Sequence, residues 1–218
     1  MPVAELITQL RQSPRLDLYF QEIRKILQEE QRRRTEFYER ITPNDKAEFI
    51  NGEMIFHSPV RLKHNLVGKL LLKLLDTYVQ KAQLGYVGYE KLLISLTRND
   101  YEPDLCFFMT TKAQQFTMRQ AQFPAPDFVV EILSERTAEN DRGVKFEDYA
   151  AHGVSEYWII EPDEEIIEQY VLRGDDYELV KKTDSGMIKS IAVSGFEIPV
   201  RAIFDEQENL KTLQRMLN

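Results

Sequence analysis

Residues 127–133 read Asp-Phe-Val-Val-Glu-Ile-Leu, and no other stretch limits the fold as strongly. Valine and isoleucine branch at Cβ and suit a pleated, packed strand. Alternation puts Phe128, Val130 and Ile132 on one face and Asp127, Val129, Glu131 and Leu133 on the other. Glu131 thus sits mid-strand between apolar neighbours. An isolated carboxylate there is costly to ionise, so it needs a cation, a hydrogen-bond network or a proton. The pattern leaves one alternative open: a Glu exposed near a strand end, or satisfied by an arginine.

The surrounding elements set the fold class. Leu16, Phe20, Ile23 and Leu27 mark one stripe of a helix over about 16–39, ended by Thr42-Pro43. Asn51-Gly52 between apolar arms predicts a hairpin over 47–57. A wide apolar stripe (Leu62, Leu66, Leu70, Leu74, Tyr78) predicts a helix over 61–80. Strands are expected at 86–89, 92–96 and 102–109, then a polar connection over 110–122. Beyond the Glu131 strand, 137–152 reads as a helix closed by Gly153. Further strands are expected at 155–160, 165–172, 177–181 and 188–193, and a last helix to Leu217 is capped by Asp205. This order implies an α/β domain at 46–218 with a mixed β-sheet flanked by helices, preceded by an N-terminal helical extension at 1–45.

The 218 residues carry a net charge of −8, which argues against a non-specific nucleic-acid coat. The charge is uneven. The window from Glu135 to Glu178 holds fourteen acids and four bases, whereas 61–81 holds five bases and Asp76 alone. An acidic lobe and a basic helix face are therefore expected. Arg32-Arg33-Arg34 reads first as a solvated face among Glu29, Glu30 and Glu36, and second as a nucleic-acid contact. The single cysteine, Cys106, supports neither an internal disulfide nor a cysteine-rich zinc site. No signal-peptide pattern opens the chain, and its longest apolar run is far short of a membrane span. A cytoplasmic protein with no membrane association is expected.

A second strand carries a carboxylate out of pattern: Asp104, in Glu102-Pro103-Asp104-Leu105-Cys106-Phe107-Phe108. Were the two strands neighbours, about 4.8 Å apart, Asp104 and Glu131 could face one side and share a divalent ion. Mg²⁺ prefers such carboxylates together with water and phosphate oxygens. Lys145 follows on the next helix, with Asp141, Lys145 and Tyr149 at i, i+4 and i+8. An ordinary exposed helix ion pair explains Asp141 and Lys145 equally well. Tyr149, Tyr157 and Trp158 are expected in the core.

These residues together resemble the Uma-type restriction endonuclease family of the PD-(D/E)XK nuclease superfamily. The resemblance rests on Pro103-Asp104, Pro126-Asp127-Phe-Val-Val-Glu131-Ile-Leu-Ser134, Asp141-Arg-Gly-Val-Lys145 and Tyr149 through Trp158. Glu48-Phe-Ile-Asn-Gly52-Glu53, His57-Ser58-Pro59 and His64 resemble its N-terminal signature, and the match spans about 47–204. The resemblance implies a restriction-endonuclease-like fold, with Asp104 and Glu131 as metal ligands for Mg²⁺ (or Mn²⁺). It implies Lys145 as the catalytic cation, since the superfamily position two residues after Glu131 is Leu133 here. Glu48 would be an accessory acid, and His64 a substrate contact or a residue orienting a ligand.

The expected activity is metal-dependent hydrolysis of phosphodiester bonds in DNA. A homodimer is expected because cutting both strands of a duplex generally takes two sites. The alternative is a catalytically weak or inactive nuclease-fold module that binds nucleic acid or a protein partner. A hydrolase of small phosphoesters is a third reading.

Overall fold

The computed structural model describes residues 3–218. Two helices open the chain, α1 (Val3–Gln12) and α2 (Leu16–Arg40). Strands β1 (Ala47–Ile50) and β2 (Glu53–Phe56) form the expected hairpin. Its turn residues Asn51 and Gly52 both take positive φ, 51° and 85°, as the tight turn matched to strand twist requires. α3 (Leu62–Ala82) leads to β3 (Gly85–Tyr89), β4 (Leu93–Ser95), β5 (Asp100–Tyr101) and β6 (Leu105–Met109). Next come α4 (Thr110–Ala113), β7 (Gln122–Phe123), β8 (Phe128–Ile132), α5 (Ala138–Arg142) and α6 (Val144–Ala151). The chain ends with β9 (Glu156–Glu161), β10 (Ile166–Arg173), β11 (Asp176–Thr183), β12 (Met187–Lys189), β13 (Glu197–Pro199), a 3-10 turn (Val200–Ile203) and α7 (Glu206–Leu217).

The main sheet runs β11-β10-β9-β8-β6-β3, with β8 and β9 parallel and the other pairs antiparallel. A second sheet, β2-β1-β5-β4-β7, lies beside it. The alternation read from residues 127–133 decides which layer each side chain enters. Phe128, Val130 and Ile132 join the core beneath α3 and the C-terminal 3-10 turn, with Leu71, Leu74, Trp158 and Ile203. Val129 and Leu133 join the opposite core with Phe108, Tyr149 and Tyr157. Glu131 lies on that second face.

Three expected elements are shorter or more broken than the pattern implies. The strand expected over 102–109 begins only at Leu105, because Pro103 offers no N–H to a ladder. β5 belongs to one sheet and β6 to the other, so Glu102-Pro103-Asp104 is the corner between them. The helix expected over 137–152 is split at Gly143 (φ −117°, ψ −104°), where a Cβ would stand 2.8 Å from the Glu139 carbonyl oxygen. The strand expected to run to Val193 stops at Lys189. The backbone N–H groups of Ile191 and Ala192 turn instead to Oε2 of Glu156, each at 2.8 Å.

Glu156 also changes the reading of the acidic window. It is fully buried, its Oε1 accepting from Trp158 Nε1 and Gln169 Nε2, each at 2.6 Å. Asp141 and Glu168 are buried too, so part of the negative charge lies inside the molecule rather than on a lobe.

No residue from 5 to 33 is buried, but the last third of α2 enters the body. Phe37 packs on Phe49, and Arg34 reaches Asp100 with Nε–Oδ2 at 2.6 Å and Nη2–Oδ1 at 2.8 Å. Tyr38 donates to the same carboxylate at 2.8 Å. Of the arginine triplet, Arg32 and Arg33 are exposed and paired with acids, while Arg34 is a buried anchor unavailable to any phosphate. Replacing Arg34 by methionine strands the Asp100 charge and should lower unfolding free energy by about 3–5 kcal/mol, read from urea denaturation. A change under about 1 kcal/mol would mean that the pair is not formed in solution.

Candidate active site

The pairing of β6 with β8 sets Leu105 opposite Val130. Continuing that register one step places Asp104 level with Glu131. The β1–β5 pairing, Phe49 opposite Asp100, brings the neighbouring Glu48 in from the second sheet. Its Oε1 accepts the Glu102 N–H at 3.0 Å. α6 supplies Lys145 and α5 supplies Asp141.

Lys145 joins these pieces. Its Nζ lies 2.9 Å from Glu48 Oε1, 3.1 Å from Glu131 Oε1 and 3.0 Å from Asp141 Oδ1. An ammonium has three donors, and three carboxylates surround this one. Tyr149 stands 3.5 Å from Glu131 Oε1, and Tyr157 donates to the Asp141 backbone carbonyl at 2.9 Å. Asp141 and Lys145 are therefore not the exposed helix pair that their spacing allows; both are buried.

Asp104 forms a second centre. Oδ1 faces Lys46 Nζ at 3.1 Å. Oδ2 faces His64 Nε2 at 3.2 Å and accepts the Ile132 N–H at 2.9 Å. His57 Nε2 approaches Glu48 Oε2 to 3.1 Å without hydrogen-bond geometry, leaving both buried atoms without a hydrogen-bond partner.

These contacts divide the acids electrostatically. Burial opposes the charge of Asp104, but the His64 hydrogen bond, Lys46 and the Ile132 N–H outweigh it and hold the carboxyl below its ordinary range. Burial likewise opposes the charge of Glu48, yet Lys145 and His57 hold it at about 2. Glu131 behaves oppositely. Burial, with Asp141, Asp104 and Glu48 nearby, raises it well above the ordinary value despite Lys145. Asp141 is raised by burial as well. Lys145 is held charged by its three carboxylates against the effect of its own burial. At the corner, burial pushes Glu102 up to about 7.

A cavity of about 790 Å³ opens over this cluster, lined by Asp104, Glu131, Lys145, Lys46 and His64 among others. Glu48 does not line it and stands behind Lys145. All five residues expected from sequence thus fall in one cluster. Lys46 and His57 belong to it as well: His57 stands in the His57-Ser58-Pro59 motif, whereas Lys46 carries no local signal, only preceding a short strand, and its role depends on where the hairpin meets the corner. The basic helix face is largely paired. Arg61 binds Glu135, Lys63 binds Asp163 and Lys69 binds Glu206.

The donor set suits a divalent cation. Four carboxylates (Glu48, Asp104, Glu131, Asp141) face two ammonium groups, leaving two negative charges in excess when the histidines are neutral. That excess adds to burial in raising Glu131 and Asp141. Among the described residues no three side chains form a ready-made metal cage. Mg²⁺ usually binds through one or two carboxylates, with water and substrate phosphate completing its shell.

Comparison with known proteins agrees with this architecture. A crystal structure titled as a "putative nuclease belonging to DUF820" from Anabaena variabilis ATCC 29413 superposes with a TM-score of 0.67 at 19% identity. The match covers 78% of this chain and 96% of that one, and supports a shared fold. No curated protein matches the sequence. The family profile described as "Uma2: Putative restriction endonuclease" matches residues 34–201. That span contains both sheets' shared corner, the cavity and every residue of the acid–lysine cluster, and by it this chain belongs to the Uma2 family.

Proposed function

We propose that this chain is an endonuclease that hydrolyses phosphodiester bonds in DNA with Mg²⁺ or Mn²⁺. One observation carries the reading: two carboxylates, Asp104 at the corner leading into β6 and Glu131 on the adjacent β8, border a cavity beside a lysine held charged by three acids. Asp104 and Glu131 would hold the metal, which when bound supplies a Lewis acid toward the scissile phosphate. Lys145 orients the attacking water and offsets negative charge developing on the phosphate. Its ammonium is ringed by three carboxylates and donates a hydrogen bond to Glu131, so it turns to substrate by giving up one of these contacts. Glu48, behind Lys145, keeps that ammonium in place. His64 fixes the orientation of Asp104, and Lys46, at the cavity wall, is a phosphate contact. We further propose 46–218 as the nuclease domain, 1–45 as an added helical arm, a cytoplasmic location and a homodimer. Among the described residues no helix is long and apolar enough to cross a membrane.

The deciding experiment is cleavage of plasmid DNA with and without Mg²⁺ or Mn²⁺, by wild type and by variants at Asp104, Glu131 and Lys145. Metal-dependent cleavage lost in the variants supports the reading. Activity unchanged in all three removes the site. DNA binding without cleavage, and without metal binding by calorimetry, favours the non-cutting module.

The His64–Asp104 contact adds a pH dependence. Burial works against the imidazolium, but the hydrogen bond to Asp104 and its charge raise His64 above its ordinary value. A raised folded value means that the contact stabilises fully below the unfolded value of about 6.5 and fades as pH rises through the folded one. The stability gap between wild type and His64→Ala, from thermal unfolding without metal, should narrow as pH rises above about 6.5. A gap constant with pH would show that His64 contributes only packing.

A further inference from the structure

Along residues 5–33, which bury no side chain, runs a band of apolar groups that the other described residues leave uncovered. On α2, Leu16, Tyr19, Phe20, Ile23, Ile26 and Leu27 are each between 41% and 59% exposed. At 3.6 residues per turn all six fall within about 120° of one helix face. Leu16, Tyr19, Ile23 and Ile26 step by three, four and three, the 3.5-residue repeat by which one helix seats against another. The body does not cover this band. In this part of α2 it is reached by ion pairs, Glu30 with Arg98 and Arg33 with Glu53, beyond the band's C-terminal end.

We propose that this band is an antiparallel seam through which a second copy of the chain docks. The inference deepens the homodimer reading above and does not depend on the cleavage chemistry. Area supports it. Six half-exposed side chains at about 200 Å² each offer roughly 600 Å² per copy, against roughly 800 Å² per partner in a standard interface. Leu6 and Ile7 of α1, 41% and 48% exposed, add to that apolar surface. Charge selects the partner. α2 holds six acids and six bases, so it has no net charge to draw it to an anionic membrane or to DNA.

Charge also selects the orientation. Asp17 and Arg24 lie two turns apart on the flank just beyond the Phe20 and Leu27 side of the band. Crossing antiparallel about the Phe20–Ile23 midpoint, Asp17 of one copy and Arg24 of the other come within about 3 Å of the same level along the axis. The twofold makes this contact twice. In parallel copies related by a twofold the same edge falls on opposite sides of the seam, so Asp17 and Arg24 would not meet. Because Arg34 and Phe37 fasten α2 to the body, such a seam would hold two Asp104–Glu131 cavities in a fixed relation. The arm also precedes residue 34, where the family match begins.

Sedimentation equilibrium of the full chain, with far-UV circular dichroism and the plasmid cleavage assay alongside, tests the seam. Wild type should be a dimer at micromolar concentration. Ile23→Glu combined with Ile26→Glu should raise the dissociation constant at least about a hundredfold with unchanged helix content. Asp17→Arg and Arg24→Asp should each weaken the dimer roughly tenfold, and the two together should restore it. Three results overturn the proposal: a wild type still monomeric at about 100 µM, weaker than standard-size interfaces; a dimer that survives the double glutamate change; or a charge swap that does not recover. A dimer built on this seam that cuts no DNA counts against the nuclease reading and leaves the seam established.

Discussion

Replacing Lys145 by methionine is expected to lower metal-dependent cleavage by about 10²–10³-fold, the loss typical when one preorganised charge-stabilising donor is removed. The same change strands three buried carboxylates. Breaking one buried pair costs about 3–5 kcal/mol, and Lys145 Nζ serves Glu48, Glu131 and Asp141 together. Without it, all three acids titrate at higher pH in the folded state than when unfolded. An acid whose folded value is raised loses stability as pH climbs from its unfolded value of about 4.3 toward the folded one. Metal-free Lys145→Met should therefore unfold far below wild type at about pH 8 and recover much of the gap at about pH 5. Thermal unfolding across pH reads this directly, and Mg²⁺ should stabilise the variant more than the wild type. Cleavage within twofold of wild type, or a stability loss indifferent to pH, would remove Lys145 from the centre of the site.

Asp104→Asn isolates the other half of the cluster. Asparagine keeps the shape and retains a carbonyl acceptor for the Ile132 N–H, but removes the charge that faces Lys46 and His64. Cleavage should fall by about three orders of magnitude, with calorimetric metal binding weakened in parallel. The fold should persist, because the lost carboxylate leaves behind only Lys46 and His64 at the cavity wall, where water can reach them. His64 supplies a second readout. Losing the Asp104 charge should return its titration, followed by NMR, toward about 6.5. Loss of cleavage with an unmoved His64 would mean that the Asp104–His64 contact is absent in solution, and retained cleavage would place the metal elsewhere.

Much of this site could be read from the chain because its residues break local rules. Glu131 violates the apolar alternation of a buried strand, and such violations tend to mark function. Asp104 follows a proline at the start of another strand. By spacing alone Lys145 shows only a face shared with Asp141 and Tyr149, equally compatible with solvent exposure, and it is the resemblance of the 141–145 segment that singles it out. Arg34 shows the limit most plainly. Within Arg32-Arg33-Arg34 all three look alike, yet one turns inward to Asp100, 66 residues away, and two remain in water.

Most of the order of elements, the two faces of the Glu131 strand, the Asn-Gly hairpin and the identity of the acids in conflict with their surroundings are legible in the chain alone. Those follow from period, steric preference and the cost of burying charge, all of which act within a few residues. That β6 lies beside β8, that the hairpin's Glu48 arrives behind Lys145, and that Lys46 and His64 meet at Asp104 emerges from the folded molecule. It also showed that the excess charge of the central window lies partly inside the molecule. Ion pairs between distant segments depend on strand register and on the corner at Pro103, and neither leaves a period in the chain.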